Sequence, residues 1–224
     1  LPLTVVFDGD TFDLLKTPTD DGGFPIHITE AIALGKLEPV LAAHQPLMER
    51  LRAFLAHSGA PRTLSFVVGN HDMEILFSGV QERLRQELGH PERVLFPGVS
   101  HQRGQVHVEH GQQHDPLFAI DTEQPFLEHA GERVLNLPWG TVALLEVAMQ
   151  YLPELHQLDR LKPKRAVLEA LPEGPQGVDH AGQSGEATEE HQPAAALVGD
   201  PLVVEQGRAL AEQAGEHRHV VGLA

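Results

Sequence analysis

The chain has no cysteine, which excludes disulfides, thiolate zinc sites and a cysteine nucleophile together. Any metal it holds must be bound by oxygen and nitrogen. Basic residues are also scarce: 16 Lys and Arg stand against 32 Asp and Glu, a net charge of −16 with histidine neutral. That balance opposes sequence-independent binding to phosphate backbones, so nucleic acid is a disfavoured partner. No apolar run reaches the length of a membrane-spanning helix, and no charged, apolar, small-residue succession marks a signal peptide. The expectation is a cytoplasmic protein with no membrane span, although the first residue, Leu1, is not methionine and a leader ahead of it stays open.

What is abundant is histidine, 15 residues of it, and neutral imidazole is the most frequent transition-metal ligand. At 41% apolar over 224 residues the chain can bury a sizeable core in one domain or a domain and a half.

Residues 3–7, Leu-Thr-Val-Val-Phe, read as a buried strand stopped by Asp8-Gly9-Asp10. Thr29 is placed to cap a helix running to about Ala43, and Pro46 opens another at its favoured first position. Residues 64–68 form a second strand, stopped by Gly69-Asn70-His71-Asp72. Val80, Leu84 and Leu88 mark one face of a helix ending at Gly89, and a short strand is expected over 94–96. Val106 and Val108 alternate with His107 and Glu109 in a further strand that runs into His110-Gly111. Helices are expected over 135–151, after Pro138, and more weakly over 155–171. Residues 172–198 are rich in Gly, Pro, Glu, Gln and His with little to bury, and are expected to be a flexible or disordered loop. A helix over 203–214 and a strand from His219 would return the chain to the same domain, giving a core of 1–171 and a C-terminal piece of 199–224. Strands alternating with helices predict an α/β protein.

Three polar clusters each follow an expected strand: Gly9-Asp10-Thr11-Phe12-Asp13, Gly69-Asn70-His71-Asp72, and the run His110-Gly111-Gln112-Gln113-His114-Asp115. Ligand sites gather at the carboxyl ends of strands in α/β sheets, and glycine lets backbone approach a bound group closely. A carboxylate, an amide oxygen and an imidazole together suit a divalent cation. Taken singly, each cluster has a plain structural reading: Asp10 in an Asp-Gly turn, Asn70 in a turn, His71 as a hydrogen-bonded strand-end histidine. His114 and Asp115 read equally as pocket-lining or loop-fixing residues. His44, His57 and His90 read as solvated, as do His180 and His191 in the loop, and Trp139 reads as core.

In order and in context, Gly-Asp-x-x-Asp at 9–13, Gly-Asn-His-Asp at 69–72 and His-Gly at 110–111 resemble the middle motifs of the calcineurin-like metallophosphoesterases. The resemblance covers roughly residues 3–160, and the helical segment Leu34-Gly35-Lys36-Leu37 and the stretch from His110 to Pro116 resemble a bacterial branch of the family. It implies an αββα sandwich of two mixed sheets flanked by helices. It also implies a hydrolase of phosphomonoesters or phosphodiesters with two divalent metal ions, Mn, Fe or Zn. By the resemblance Asp10 bridges the two metals, and Asn70 and His110 bind the second. His71 faces the phosphate as the catalytic histidine, Asp72 holds its imidazole in the right tautomer, and Asp13 stands one step back from the metals; His114, on its pocket-lining reading, would be a substrate contact. Two metals about 3.5 to 4 Å apart would activate a hydroxide for in-line attack, so no protein nucleophile is needed. The substrate is a small phosphorylated molecule; nucleotides, lipid-linked nucleotides and dinucleoside polyphosphates all stay open.

The departures are as informative. The family's opening Asp-x-His and closing Gly-His-x-His occur nowhere in this chain, and Gly215-Glu216-His217-Arg218-His219 has the wrong spacing for the latter. The chain therefore reads as the middle of the family's domain, expected to hold at most one metal firmly and to turn over little substrate. A non-catalytic metal-dependent binding or scaffold domain with a degenerate site is the alternative.

Overall fold

A computed structural model describes residues 1–149. The expectations placed on 155–171, on the 172–198 loop with His180 and His191, and on the C-terminal helix, strand and histidines lie outside the described residues.

The described part is mixed α/β. Strands β1 (Leu3–Asp8), β2 (Arg62–Val67) and β3 (Val94–Leu95) form a parallel sheet in that order. The register runs from Leu3 opposite Arg62 to Asp8 opposite Val67. Both chains therefore leave the sheet at the same edge, and the Asp10 and Asn70 loops start side by side. Apolar β-branched and aromatic residues suit these strands because they pack on both sides. Phe66 of β2 stacks on Phe7, Phe12 and Phe96, with ring centroids 4.7, 5.6 and 5.6 Å away.

Helix α1 (Glu30–Ala43) starts where Thr29 Oγ1 accepts the Ile32 N–H at 3.3 Å. Thr29→Ala is expected to cost about 1 kcal/mol, measured by urea denaturation; an unchanged midpoint would show that the cap contributes nothing. Helix α2 (Gln45–Leu55) has Pro46 in its first turn, and α3 (Ser78–Leu88) ends at Gly89 in the left-handed conformation (φ +73°). Leu37 and Leu41 of α1, Met48 and Leu55 of α2, and Leu84 and Leu88 of α3 join Leu64 and Phe66 in one buried cluster. An Arg52–Glu87–Arg83–Glu38 network ties the three helices together at their rim.

Two antiparallel hairpins complete the described part: β4 (Ser100–Arg103) with β5 (Val106–Glu109), and β6 (Phe126–His129) with β7 (Glu132–Leu135). The first is anchored to the sheet where Arg103 Nη1 donates to Thr4 Oγ1 (2.6 Å) and Ser65 Oγ meets His101 Nδ1 (2.9 Å). The helix expected after Pro138 starts there. Leu135 closes β7, the extended Pro138 intervenes, and α4 (Trp139–Ala143) runs into a π-helical turn at Leu144–Ala148. α4 buries Gly140, Thr141 and Val142, and Trp139, expected in the core, is 38% exposed at its first position. Among the described residues no helix is long and apolar enough to cross a membrane.

Candidate active site

The three clusters leave β1, β2 and β5 and meet. Asp10 and Asp13 both have positive φ (+48° and +47°), the left-handed region, which short polar side chains tolerate better than most. Gly9, also left-handed at φ +74°, faces His110, where a Cβ would come within 2.6 Å of the imidazole. Gly69 faces Asp10, where a Cβ would come within 2.1 Å of Oδ1. Glycine at both places is what lets the loops touch.

Asp10 sits where they do so. Its Oδ1 accepts the backbone N–H of His71 at 2.9 Å, and its Oδ2 lies 3.1 Å from His110 Nε2. His110 Nδ1 is 2.7 Å from the Asp8 carbonyl, which can only accept, so Nδ1 carries a proton; Nε2 then donates to the Asp10 carboxylate from an imidazolium or, in the neutral ring that a cation would select, offers a lone pair beside Asp10. Asn70 stands in the chain between Gly69 and His71, both of which abut Asp10, and is half-buried there.

The carboxylates divide their work differently from the expectation. His71 Nδ1 bonds to Asp13 Oδ1 at 2.9 Å, and Lys16 Nζ approaches Asp13 Oδ2 at 3.4 Å. Partial burial works against the Asp13 carboxylate, but the His71 hydrogen bond and the Lys16 ammonium outweigh it and hold its carboxyl below the usual range. Asp13 is therefore the acceptor that fixes the His71 ring. Asp72, assigned that role from sequence, is turned inward. Its Oδ1 accepts Gly69 N–H (2.9 Å) and its Oδ2 accepts Thr11 N–H (2.7 Å), so it fastens the two loops to each other. Burial pushes its carboxyl up to about 7 against the pull of those two N–H groups, with Asp10 and Glu74 adding to the rise. The exchange is one of reach: Asp13 Oδ1 lies at the His71 ring, while both Asp72 oxygens are taken by backbone N–H groups.

His114 is exposed and its Nε2 bonds Glu109 Oε1 at 2.5 Å, while His107 Nε2 lies 3.2 Å from the other oxygen. Asp115 Oδ1 accepts the Leu117 N–H at 2.9 Å. Both residues fix their loop. Three further residues, none of them a candidate site residue in the sequence, support the site. Gln112 is buried and its Nε2 donates to the Val68 carbonyl at 3.0 Å, holding the His110 segment against the end of β2. Lys36 and Glu74 form a buried ion pair behind the Asn70 loop. A lysine at one turn's spacing from Ala33 and Val40 is the only sequence signal for the latter.

For a cation, the donor chemistry fits in part. A carboxylate oxygen and an imidazole nitrogen 3.1 Å apart match adjacent ligands of one ion with bonds of about 2.0 to 2.2 Å. Asn70 supplies an oxygen in the adjoining loop. Among the described residues no group of three His, Cys, Asp or Glu side chains is assembled for a metal. Compared with protein-family models, curated proteins and solved structures, the chain matches none.

Proposed function

We propose that this chain carries part of the site of a metal-dependent phosphoesterase on the αββα sandwich of the calcineurin-like metallophosphoesterases. The observation that supports this most is the meeting of three motif loops on one carboxylate: His110 at Asp10 Oδ2 and the His71 backbone at Oδ1. Asp10, His110 and Asn70 are the residues that would hold a divalent cation, manganese, iron or zinc. Bound divalent cations supply charge stabilisation for phosphoryl oxygens and acidify water at neutral pH.

The chain's own groups do the rest. Asp13 keeps the Nδ1 proton of His71 in place, so Nε2 is the nitrogen offered to substrate, where an imidazolium donates a proton to the leaving oxygen or a hydrogen bond to a phosphoryl oxygen. The Asp8 carbonyl keeps His110 in the tautomer that offers Nε2. Asp72 sets the distance between the Asp10 and Asn70 loops.

The test is calorimetric titration of the chain with manganese, followed by titration with inorganic phosphate with and without manganese, and by an assay on p-nitrophenyl phosphate and bis-p-nitrophenyl phosphate. The expected result is one firmly held manganese ion, phosphate binding that requires it, and slow manganese-dependent hydrolysis. Absence of manganese binding, or phosphate binding indifferent to manganese, overturns the reading. Manganese-dependent phosphate binding with no hydrolysis of either ester turns it towards the non-catalytic binding domain.

A further inference from the structure

Lys36 lies in the middle of α1, where a residue with no function to serve would be apolar. Its Nζ meets Glu74 Oε1 at 2.6 Å, and each side chain is 1% exposed. Glu74 belongs to the 3-10 turn Met73–Leu76 that follows the Asn70 loop directly. Other polar contacts join α1 to the chain just beyond, at the rim: Glu30 Oε1 accepts the Gly79 N–H at 2.5 Å and the Ser78 hydroxyl at 3.4 Å, and Glu38 pairs with Arg83. Only the Lys36 contact is sealed from water and aimed at the turn behind the loop.

A buried ion pair is a poor device for stability, because desolvating both charges offsets their attraction, and a well-packed apolar pair does as well or better. What it has and an apolar pair lacks is direction. Hydrophobic contact is non-directional, whereas a 2.6 Å charge-assisted hydrogen bond fixes one oxygen against one nitrogen. From Glu74 the path to the site is short. Ile75 N–H donates to the Asp72 carbonyl at 3.1 Å, and the Asp72 carboxylate holds Gly69 and Thr11, which flank Asn70 and Asp10. Leu15 N–H adds a bond to the His71 carbonyl at 2.8 Å, so the loop is gripped on its other side by the chain that follows Asp13.

We infer that Lys36 and Glu74 are a positioning pair: α1 uses this buried bond to set the register of residues 70–74, and with it the placement of His71 against Asp13 and Asp10. The pair touches neither substrate nor cation, and its catalytic consequence rests on the phosphoesterase reading above. Its structural consequence does not.

The test is the double variant Lys36→Met/Glu74→Leu, which removes both charges and keeps the volume, beside the single variants Lys36→Met and Glu74→Gln. Each single variant strands a polar partner and is expected to melt well below the wild type. The double variant is expected to melt at or above the wild-type temperature, while its manganese affinity or turnover falls about 10- to 100-fold, the usual cost of losing support behind a site. Histidine imidazole 15N NMR of the metal-free protein gives a readout that needs neither activity nor metal. The His71 Nδ1 signal, assigned by its loss in His71→Ala, should shift in the double variant. Wild-type His71 resonances in a folded double variant would overturn the inference, and so would a double variant that fails to fold, since the pair would then be a stabilising element of the core. If the wild type binds no manganese, the functional reading falls, and the NMR result still decides the pair.

Discussion

Asp10→Asn is expected to strip the chain of its manganese, whereas His71→Ala leaves manganese bound and lowers hydrolysis by about 10²- to 10⁴-fold, the range for a positioned acid or base. The two side chains are close neighbours, so the contrast rests on which atoms each one offers. Asp10 offers a carboxylate oxygen 3.1 Å from His110 Nε2, while its other oxygen receives the His71 N–H at 2.9 Å. An amide keeps the shape but loses the charge that a divalent cation needs. With its carbonyl on the His71 N–H, its NH2 would also engage the His110 Nε2 lone pair that a cation would use. His71 meets Asp10 only through its backbone, and its ring is turned to Asp13. Truncation to alanine therefore keeps the bond to Asp10, and also the one from Leu15 N–H to the His71 carbonyl. Manganese per chain by atomic absorption and hydrolysis of p-nitrophenyl esters read the two effects separately. Equal manganese loss in both variants would mean that the roles are wrongly divided.

The strands that carry the site were legible because each is an apolar run cut short by glycine and polar residues, as in Leu3–Asp8 before Gly9 and Arg62–Val67 before Gly69. Their parallel register then brings the two loops together without further information. Of the two hairpins only β5, Val106–Glu109, was legible, from its alternation. Ser100–Arg103 reads Ser-His-Gln-Arg, a strand made by its partner and by the His101–Ser65 contact rather than by its own pattern. The turn of the β6–β7 hairpin is Ala130-Gly131, both with positive φ (+50° and +81°), where Asn-Gly would have been the usual signal. Within the site, the meeting of the three motif loops followed from motif order, but the division of labour between Asp13 and Asp72 did not. It depends on which carboxylate the backbone N–H groups occupy, and no side chain announces that. The Lys36–Glu74 pair escaped for a related reason: residues 38 positions apart meet only once α1 is laid beside the turn.

Gly69→Ala is expected to abolish manganese binding while leaving the sheet folded. Gly69 is buried and does not have a positive φ, so alanine brings no backbone strain, only one methyl group. That methyl would stand 2.1 Å from Asp10 Oδ1, 2.5 Å from the Asp10 nitrogen and 3.0 Å from its Cγ. The carboxylate could rotate away, but the backbone nitrogen cannot, so the Asp10 loop must be pushed off the Asn70 loop. Two bonds oppose that movement, Asp72 to Thr11 N–H and His71 N–H to Asp10, and both would lengthen or break. Overpacking of this kind costs about 1 to 3 kcal/mol against a net stability of about 5 to 15 kcal/mol for a domain, so cooperative unfolding should survive at a clearly lower midpoint. The cation donors fare worse, because ligand bonds of about 2.0 to 2.2 Å tolerate errors of only a few tenths of an ångström. Gly9→Ala would be a less clean experiment. Its methyl meets the His110 ring at 2.6 Å, but its φ of +74° adds strain of its own and confounds the result. Circular dichroism melting and manganese titration of Gly69→Ala decide the matter: a folded variant that binds manganese as tightly as the wild type would show that the Asp10–Gly69 approach does not shape the site.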